Sequence, residues 1–271
     1  MIHIHAYASP PEAFLVNSFL IETPNGVVVI DTQFLVTPAK TLKQKITALG
    51  KPILGVIITH PHPDHYNGTA ILLEGLETIP IYSTEATYEG VKATETPKRE
   101  FWTPTYQEEY PKSTLLPTHI VTPGKPLIFD GVALLLDDLG AGEASDITVI
   151  YLPEHRQLIA SDLVYYRVHP WLAEGRSQQW LKQLELVKER YSEAIQVFNG
   201  HGEHSTLQGL DEQVDYITSF RDLVDQYRQE DRVGETQKAE IRKIMLETYP
   251  TYPLDFLIEM NVDGVAKELG S

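Results

Sequence analysis

A chain of 271 residues with 42% hydrophobic content is long enough to bury a sizeable core. Its 22 Lys+Arg against 38 Asp+Glu give a formal charge of -16, which repels polyanions and leaves few groups to neutralise phosphates, so nucleic acid is not an expected partner. Cysteine is absent, which rules out disulfides, thiolate ligands and a cysteine nucleophile; a metal would have to be held by His and carboxylate.

The opening stretch MIHIHAYASPPEAF carries no basic segment followed by an apolar one, and no run approaches the roughly 18 apolar residues of a membrane span. The expectation is a cytoplasmic protein with no membrane partner. His3 and His5 alternate on a first strand and are read as structural. AFLVNSFLIET, then PNG, then VVVIDT read as strand, turn and strand, a β-hairpin. Thr37-Pro38 opens a helix to about Ala48, with Gly50 and Pro52 as stop signals. ILGVIIT is almost wholly apolar and suits a strand covered on both faces.

Beyond it come a helix over 66–74, a strand over 79–82 and a helix over 84–93. Residues 97–118 carry four prolines with Phe101, Trp102, Tyr106 and Tyr110, more structureless length than a connection needs; they read as a lid-like loop, with an ordered surface loop or dimer contact as alternatives. Strand patterns resume in PLIFDGVALLLDD, DITVIYLP and RQLIASDLV, the last two joined at Pro153-Glu154-His155. SQQWLKQLELVKER is helical, with Ser177 placed to cap and Trp180, Leu181, Leu184 and Val187 on one face. AIQVFNG is one more buried strand, and from about 206 the pattern is helical. Strands with helices, then strands with helices again, predict one α/β domain over 1–271, with two sheets face to face and helices outside.

The residues that carry chemistry sit in THPHPDHYNG, at the C-terminal end of the buried strand. Each residue before a proline is pushed towards extended geometry, so His60 and His62 keep the strand's period of two and point the same way. Asp64 and His65 lie where the next helix begins and can serve a neighbouring point. Imidazole and carboxylate in this density predict a metal loop, able to supply two ions.

THPHPDH resembles the His-x-His-x-Asp-His signature of the metallo-β-lactamase-fold hydrolases, and the resemblance covers nearly the whole chain. Three further landmarks follow in order: GAGEASD (140–146), IASDLV (159–164) and NGHG (199–202). The resemblance implies a four-layer αββα sandwich. It also implies a binuclear site in which Asp162 bridges two metals and His201 is the last histidine, zinc first, with iron or manganese as alternatives. Where most members place a third His, this chain has Glu143. With Glu143 as ligand, two divalent ions against three carboxylates and a bridging hydroxide come to about neutral; without it, one metal is expected. Asp146 is read as a hydrogen-bonding group behind the motif loop. Tyr165 resembles the tyrosine of N-acyl-homoserine lactonases, which implies a role at a developing oxyanion. His169 and Trp171 are pocket candidates with an ordinary packed loop as alternative, His204 is a surface residue, and His119 and His155 are structural.

The implied chemistry is hydrolysis of a small-molecule lactone, thioester, ester or sulfate ester by a metal-bound hydroxide, with Asp64 orienting the nucleophile and passing on its proton. Absence of cysteine removes the β-lactamase type that has Cys where Asp162 stands. The competing expectations are a mononuclear-iron persulfide dioxygenase and a metal-binding sensor without turnover. A homodimer is left open.

Overall fold

Alternation along the strands decides the layering. In the computed structural model, which describes residues 2–76 and 78–271, strands β1 (His3–Ala8), β2 (Asn17–Glu22) and β3 (Val27–Ile30) pair antiparallel in sequence. Phe19 and Ile21 of β2, with Val28 and Ile30 of β3, face one apolar cluster. Leu20, Val27 and Val29 face another. Helix α1 (Val36–Ala48) covers the second face with Leu42 and Ile46. Strand β4 (Ile53–Ile57) then joins β3 in parallel.

The motif loop leaves β4 and enters two four-residue helices, α2 (Pro63–Tyr66) and α3 (Thr69–Leu72), where one helix over 66–74 was expected. The break has a physical cause at Gly68: a Cβ there would lie 1.9 Å from the Thr32 carbonyl, so the chain presses against the end of β3. Strand β5 (Ile81–Ser83), helix α4 (Glu85–Tyr106) and strand β6 (His119–Ile120) complete the first sheet, in the order β1-β2-β3-β4-β5-β6.

Helix α4 corrects two expectations. The helix does not end near 93, and residues 97–106 are not a loop, because the helix runs through Pro97 and Pro104 to Tyr106. Thr84 caps its start by accepting from the Thr87 backbone N–H. Local propensity is overridden by tertiary anchoring. Phe34 packs edge-on against Trp102, Tyr106 and Tyr110, while Arg99 pairs with Glu95 and donates to the Pro111 carbonyl.

The second sheet has the order β11-β10-β9-β8-β7, built from β7 (Pro126–Phe129), β8 (Val132–Asp138), β9 (Thr148–Leu152), β10 (Gln157–Tyr166) and β11 (Gln196–Gly202). Leu134, Leu136, Ile150, Leu152 and Ile159 meet Phe19 and Ile30 in the core between the sheets. The opposite face, with Val149, Leu158 and Ala160, packs on α5 (Ser177–Arg190), α6 (Gln208–Tyr227), α7 (Glu235–Thr248) and α8 (Leu257–Leu269). Helices, sheet, sheet and helices form the four expected layers.

Ser177 does not cap α5. Its backbone N–H and that of Gln178 both donate to the Glu268 carboxylate of α8, which also pairs with Arg221 of α6. A carboxylate from the far end of the chain satisfies the helix N-terminus and favours its positive dipole end. Glu268→Ala is expected to lower unfolding free energy by about 1–2 kcal/mol, read by urea denaturation; a change near zero would show that the cap is replaced by solvent.

Candidate metal centre

Strand ends and the loops beside them bring seven predicted residues together. The potential ligand atoms form two groups, each with its atoms within 4.8 Å of one another: His60, His62, Glu143 and Asp162 in one, Asp64, His65, Asp162 and His201 in the other. His60 and His62 follow β4, Asp64 and His65 lie in α2, Glu143 sits between β8 and β9, Asp162 is on β10 and His201 on β11. Asp162 is common to both: its Oδ2 lies 3.4 Å from His60 Nε2 and its Oδ1 3.2 Å from His65 Nε2.

A local irregularity aims Asp162. Pairing of β10 with β11 shifts register on either side of Ser161, which itself has φ 48°, in the left-handed region. Such a bulge re-aims the following side chain and stores backbone strain at the site. Across the same junction the Tyr165 and His201 rings stack at 4.4 Å. Gly200 is required here, since a Cβ on it would lie 1.8 Å from Asp162 Oδ1.

Hydrogen bonds fix which nitrogen each imidazole presents. Thr59 gives its one hydroxyl proton to Asp31 Oδ2 at 2.8 Å, and therefore accepts from His60 Nδ1 at 3.0 Å. His65 Nδ1 donates to Asp31 Oδ2 at 2.8 Å, and His201 Nδ1 to the Phe14 carbonyl at 2.7 Å. In the neutral form all three then turn an unprotonated Nε2 inward, the tautomer that ligates a metal. His62 is reversed: Nε2 lies 3.5 Å from Glu174 Oε1 and Nδ1 lies 3.3 Å from Glu143 Oε2. His60 Nε2, His65 Nε2, Glu143 Oε2 and Asp162 Oδ1 are buried without hydrogen-bond partners, all aimed into the two groups. Buried lone pairs of this number are costly unless something positive meets them, so the donor set fits divalent cations.

Charge compensation dominates the electrostatics. Burial opposes an imidazolium at each position, but Glu143, Glu174 and Asp64 together outweigh it and push His62 up to about 10, and Asp162 with Asp64 pushes His201 up to about 10. Burial likewise opposes ionised Asp64 and Asp162, yet the facing imidazoles hold both well below the usual carboxylate range. A ligating imidazole must be neutral, so cation uptake competes with protons and weakens as pH falls. The Tyr165 hydroxyl lies 2.8 Å from Asp162 Oδ2 and 3.0 Å from Glu143 Oε1. Burial raises its pKa well above the usual value, with Asp162 and Glu143 adding to the effect, so the phenol keeps its proton.

The remaining candidates fall outside the two groups. His169 is buried against Tyr216, its Nδ1 2.7 Å from the hydroxyl, and is packing rather than pocket. Trp171 does line the pocket above the site. His204 is not a surface residue: it is half-buried and packs on Phe19 and Phe198 because the chain after β11 turns back along it, bridging Ser205 to Val197. His3, His5, His119 and His155 belong to neither group. Sequence reasoning missed Asp31, Glu174 and the Phe14 carbonyl. The only advance signal was an acid closing the apolar run VVVIDT.

Asp146 accepts from the Thr84 and Thr87 hydroxyls at 3.2 and 2.8 Å, and Thr87 in turn reaches the Thr59 carbonyl at 3.4 Å. Burial first, and then Asp138, push its carboxyl up from 3.8 to about 7.

Comparison with known proteins adds a family context. The sequence profile described as the Metallo-beta-lactamase superfamily matches residues 11–201. The chain is 27% identical over 192 residues to Metallo-beta-lactamase IND-1 of Chryseobacterium indologenes, covering 69% of this chain and 72% of that protein. It is 25% identical over 196 residues to Metallo-beta-lactamase type 2 of Pseudomonas aeruginosa, covering 69% and 71%. Among solved structures, metallo-beta-lactamase IND-7 has a TM-score of 0.63 at 23% identity, covering 80% of this chain and 92% of its own. DIM-1 metallo-beta-lactamase has a TM-score of 0.61 at 22% identity, covering 80% and 93%. Both structural likenesses speak to the fold.

Two measurements test the geometry. Gly200→Ala, by displacing Asp162, is expected to weaken cation affinity about 10–100-fold in a chelator competition, and unaltered affinity would remove Asp162 from the ligand set. For Asp146, the folded chain keeps a proton between about 4 and 7 that the unfolded chain has lost, so its contribution to stability falls as pH rises through that window. An asparagine at this position does not titrate and has no such dependence. Unfolding free energy of Asp146→Asn relative to wild type should therefore rise by about 1–3 kcal/mol from about pH 5 to about pH 8, measured by denaturant titration.

Proposed function

The chain belongs to the metallo-beta-lactamase superfamily and is a hydrolase of it, and on that premise we propose that it cleaves a small-molecule ester-type bond, a lactone, thioester, ester or sulfate ester. The observation that carries the reading is the placement of Tyr165: a protonated phenol within hydrogen-bond reach of both ligand groups, at the floor of a pocket walled by apolar side chains. Such a donor suits a substrate oxygen that gains negative charge.

His60, His62, Glu143 and Asp162 would hold one divalent cation, and Asp64, His65, Asp162 and His201 the other. Zinc is the first choice for this imidazole-rich set, with iron or manganese as harder alternatives given three carboxylates. Bound cations in such a pair lower the pKa of a shared water and polarise a carbonyl oxygen. The protein supplies the rest. Asp64 lines the pocket, with Oδ2 3.4 Å from His201 Nε2 and 3.6 Å from His65 Nε2, a carboxylate placed to receive a proton from water and pass it to the leaving group. Tyr165, whose one proton rests on Asp162 or Glu143 here, would turn it to the developing oxyanion. Glu174 and Asp31 hold the imidazoles in orientation and touch no substrate.

A second reading, hydrolysis of a β-lactam amide, is favoured by the names of the relatives. Against it stands Asp162 at the shared corner in a chain without cysteine. The test is a substrate panel of lactones, thioesters, aryl esters, an aryl sulfate and a chromogenic cephalosporin, assayed with protein purified without chelators and measured for metal content. Cleavage of ester-type substrates that a chelator abolishes supports the proposal; turnover of the cephalosporin alone establishes the second reading. About two metals per chain are expected, falling to about one in Glu143→Ala. Tyr165→Phe should lose about 100-fold in kcat at unchanged metal content; a loss of metal instead would mean that the phenol only positions Asp162 and Glu143.

A further inference from the structure

The pocket above the metal centre has one lysine and no arginine in its lining, Lys98. Its neighbours among the bases are committed: Arg99 to Glu95 and the Pro111 carbonyl, Arg176 to Glu174 and the Gly142 carbonyl. Lys98 is half-buried and has no hydrogen bond or ion pair among the described residues. Glu174, an acid within its electrostatic reach, is already taken by His62 and Arg176. An ammonium set in an apolar wall, with its stem covered and its head unpaired, binds an anion more strongly than one in open water.

The wall also continues. A groove lined by Phe101 and Pro97 adjoins the pocket and shares Lys98, Trp102, Trp171 and Met260 with it. Phe101 is 66% exposed and Met260 43%, so an apolar track leads outward from the floor where Asp64 and Tyr165 stand. Lys98 and Trp102 are one turn apart on α4, which sets the cation beside the track. On a chain of formal charge -16, Lys98 and the cations of the adjacent centre are what would attract an anion here.

We propose that Lys98 and this track form a substrate subsite for an amphiphilic anion, a carboxylate held by Lys98 with an extended alkyl arm lying over Trp102, Trp171 and Met260. The inference rests on the hydrolase reading of the adjacent centre, for which it names the substrate class: acyl compounds that carry both an anionic group and a long apolar chain.

Binding can be read without turnover, since Trp102 and Trp171 are two of the three tryptophans in the chain and both line the pocket. Metal-loaded protein is titrated with decanoate, decanol and acetate below their aggregation concentrations, following tryptophan emission. Decanoate should bind at least about tenfold more tightly than either of the others. Lys98→Ala should weaken decanoate about tenfold while leaving decanol unchanged, and Lys98→Arg should retain decanoate within about threefold. Lys98→Glu should lose decanoate and gain decylammonium. Equal binding of decanoate and decanol, or decanoate binding indifferent to Lys98→Ala because the carboxylate sits on the metals, overturns the proposal. Failure of the hydrolysis panel with this pattern intact would sink the ester-type reading and leave the subsite standing.

Discussion

Asp162 is fully buried between two sets of imidazoles, its Oδ2 facing His60 and His201 and its Oδ1 facing His65, and keeping an aspartate there constrains much of the surrounding structure. A buried carboxylate is costly unless positive charge faces it from several sides. The strand that carries it gives up regular pairing at Ser161, the neighbouring strand must be glycine at 200, and the opposite sheet must bring His60 and His65 within reach. Both sheets therefore end in the same place. Asn17, at the start of β2, ties the two ends together by donating to the carbonyls of Asn199 and Gly202.

The same constraint explains the layer of bonds behind the candidate ligands. Asp31, with φ 60°, accepts from the Thr59 backbone and hydroxyl and from His65, so one residue at the end of β3 orients imidazoles on two segments. Strain at Asp31 and Ser161 lies on either side of the site and is held by the sheets around it. Rigid strands beneath and short loops above give the donor atoms little freedom, which suits a centre that must keep its geometry while substrate enters.

The motif loop was legible because proline dictates the backbone of its predecessor, so His60 and His62 could be aimed from sequence alone. The layers were legible because strands such as VVVI and TVIYL carry the pattern of buried pleats. Helix α4 was not: Pro97 and Pro104 argue for a loop by every local rule, and only contacts of Trp102, Tyr106 and Tyr110 with Phe34, far away in sequence, decide otherwise. Nor could the partners of the histidines be read, since Asp31, Glu174 and the Phe14 carbonyl meet them through topology and not through spacing. The cap of α5 by Glu268 escaped for the same reason.

The pocket wall draws on Phe14, Phe34, Trp102 and Trp171 and on residues 254–260 before and within α8, whereas the candidate ligands come from strand ends and the loops beside them. The segment 254–260 also lies beyond the span matched by the family profile. Two tasks are thus written in different stretches of chain: one sets what reaction is available, the other which molecules are admitted to it. Changes in the second leave the candidate ligand residues untouched, so the range of compounds admitted is free to drift while the chemistry stays in place.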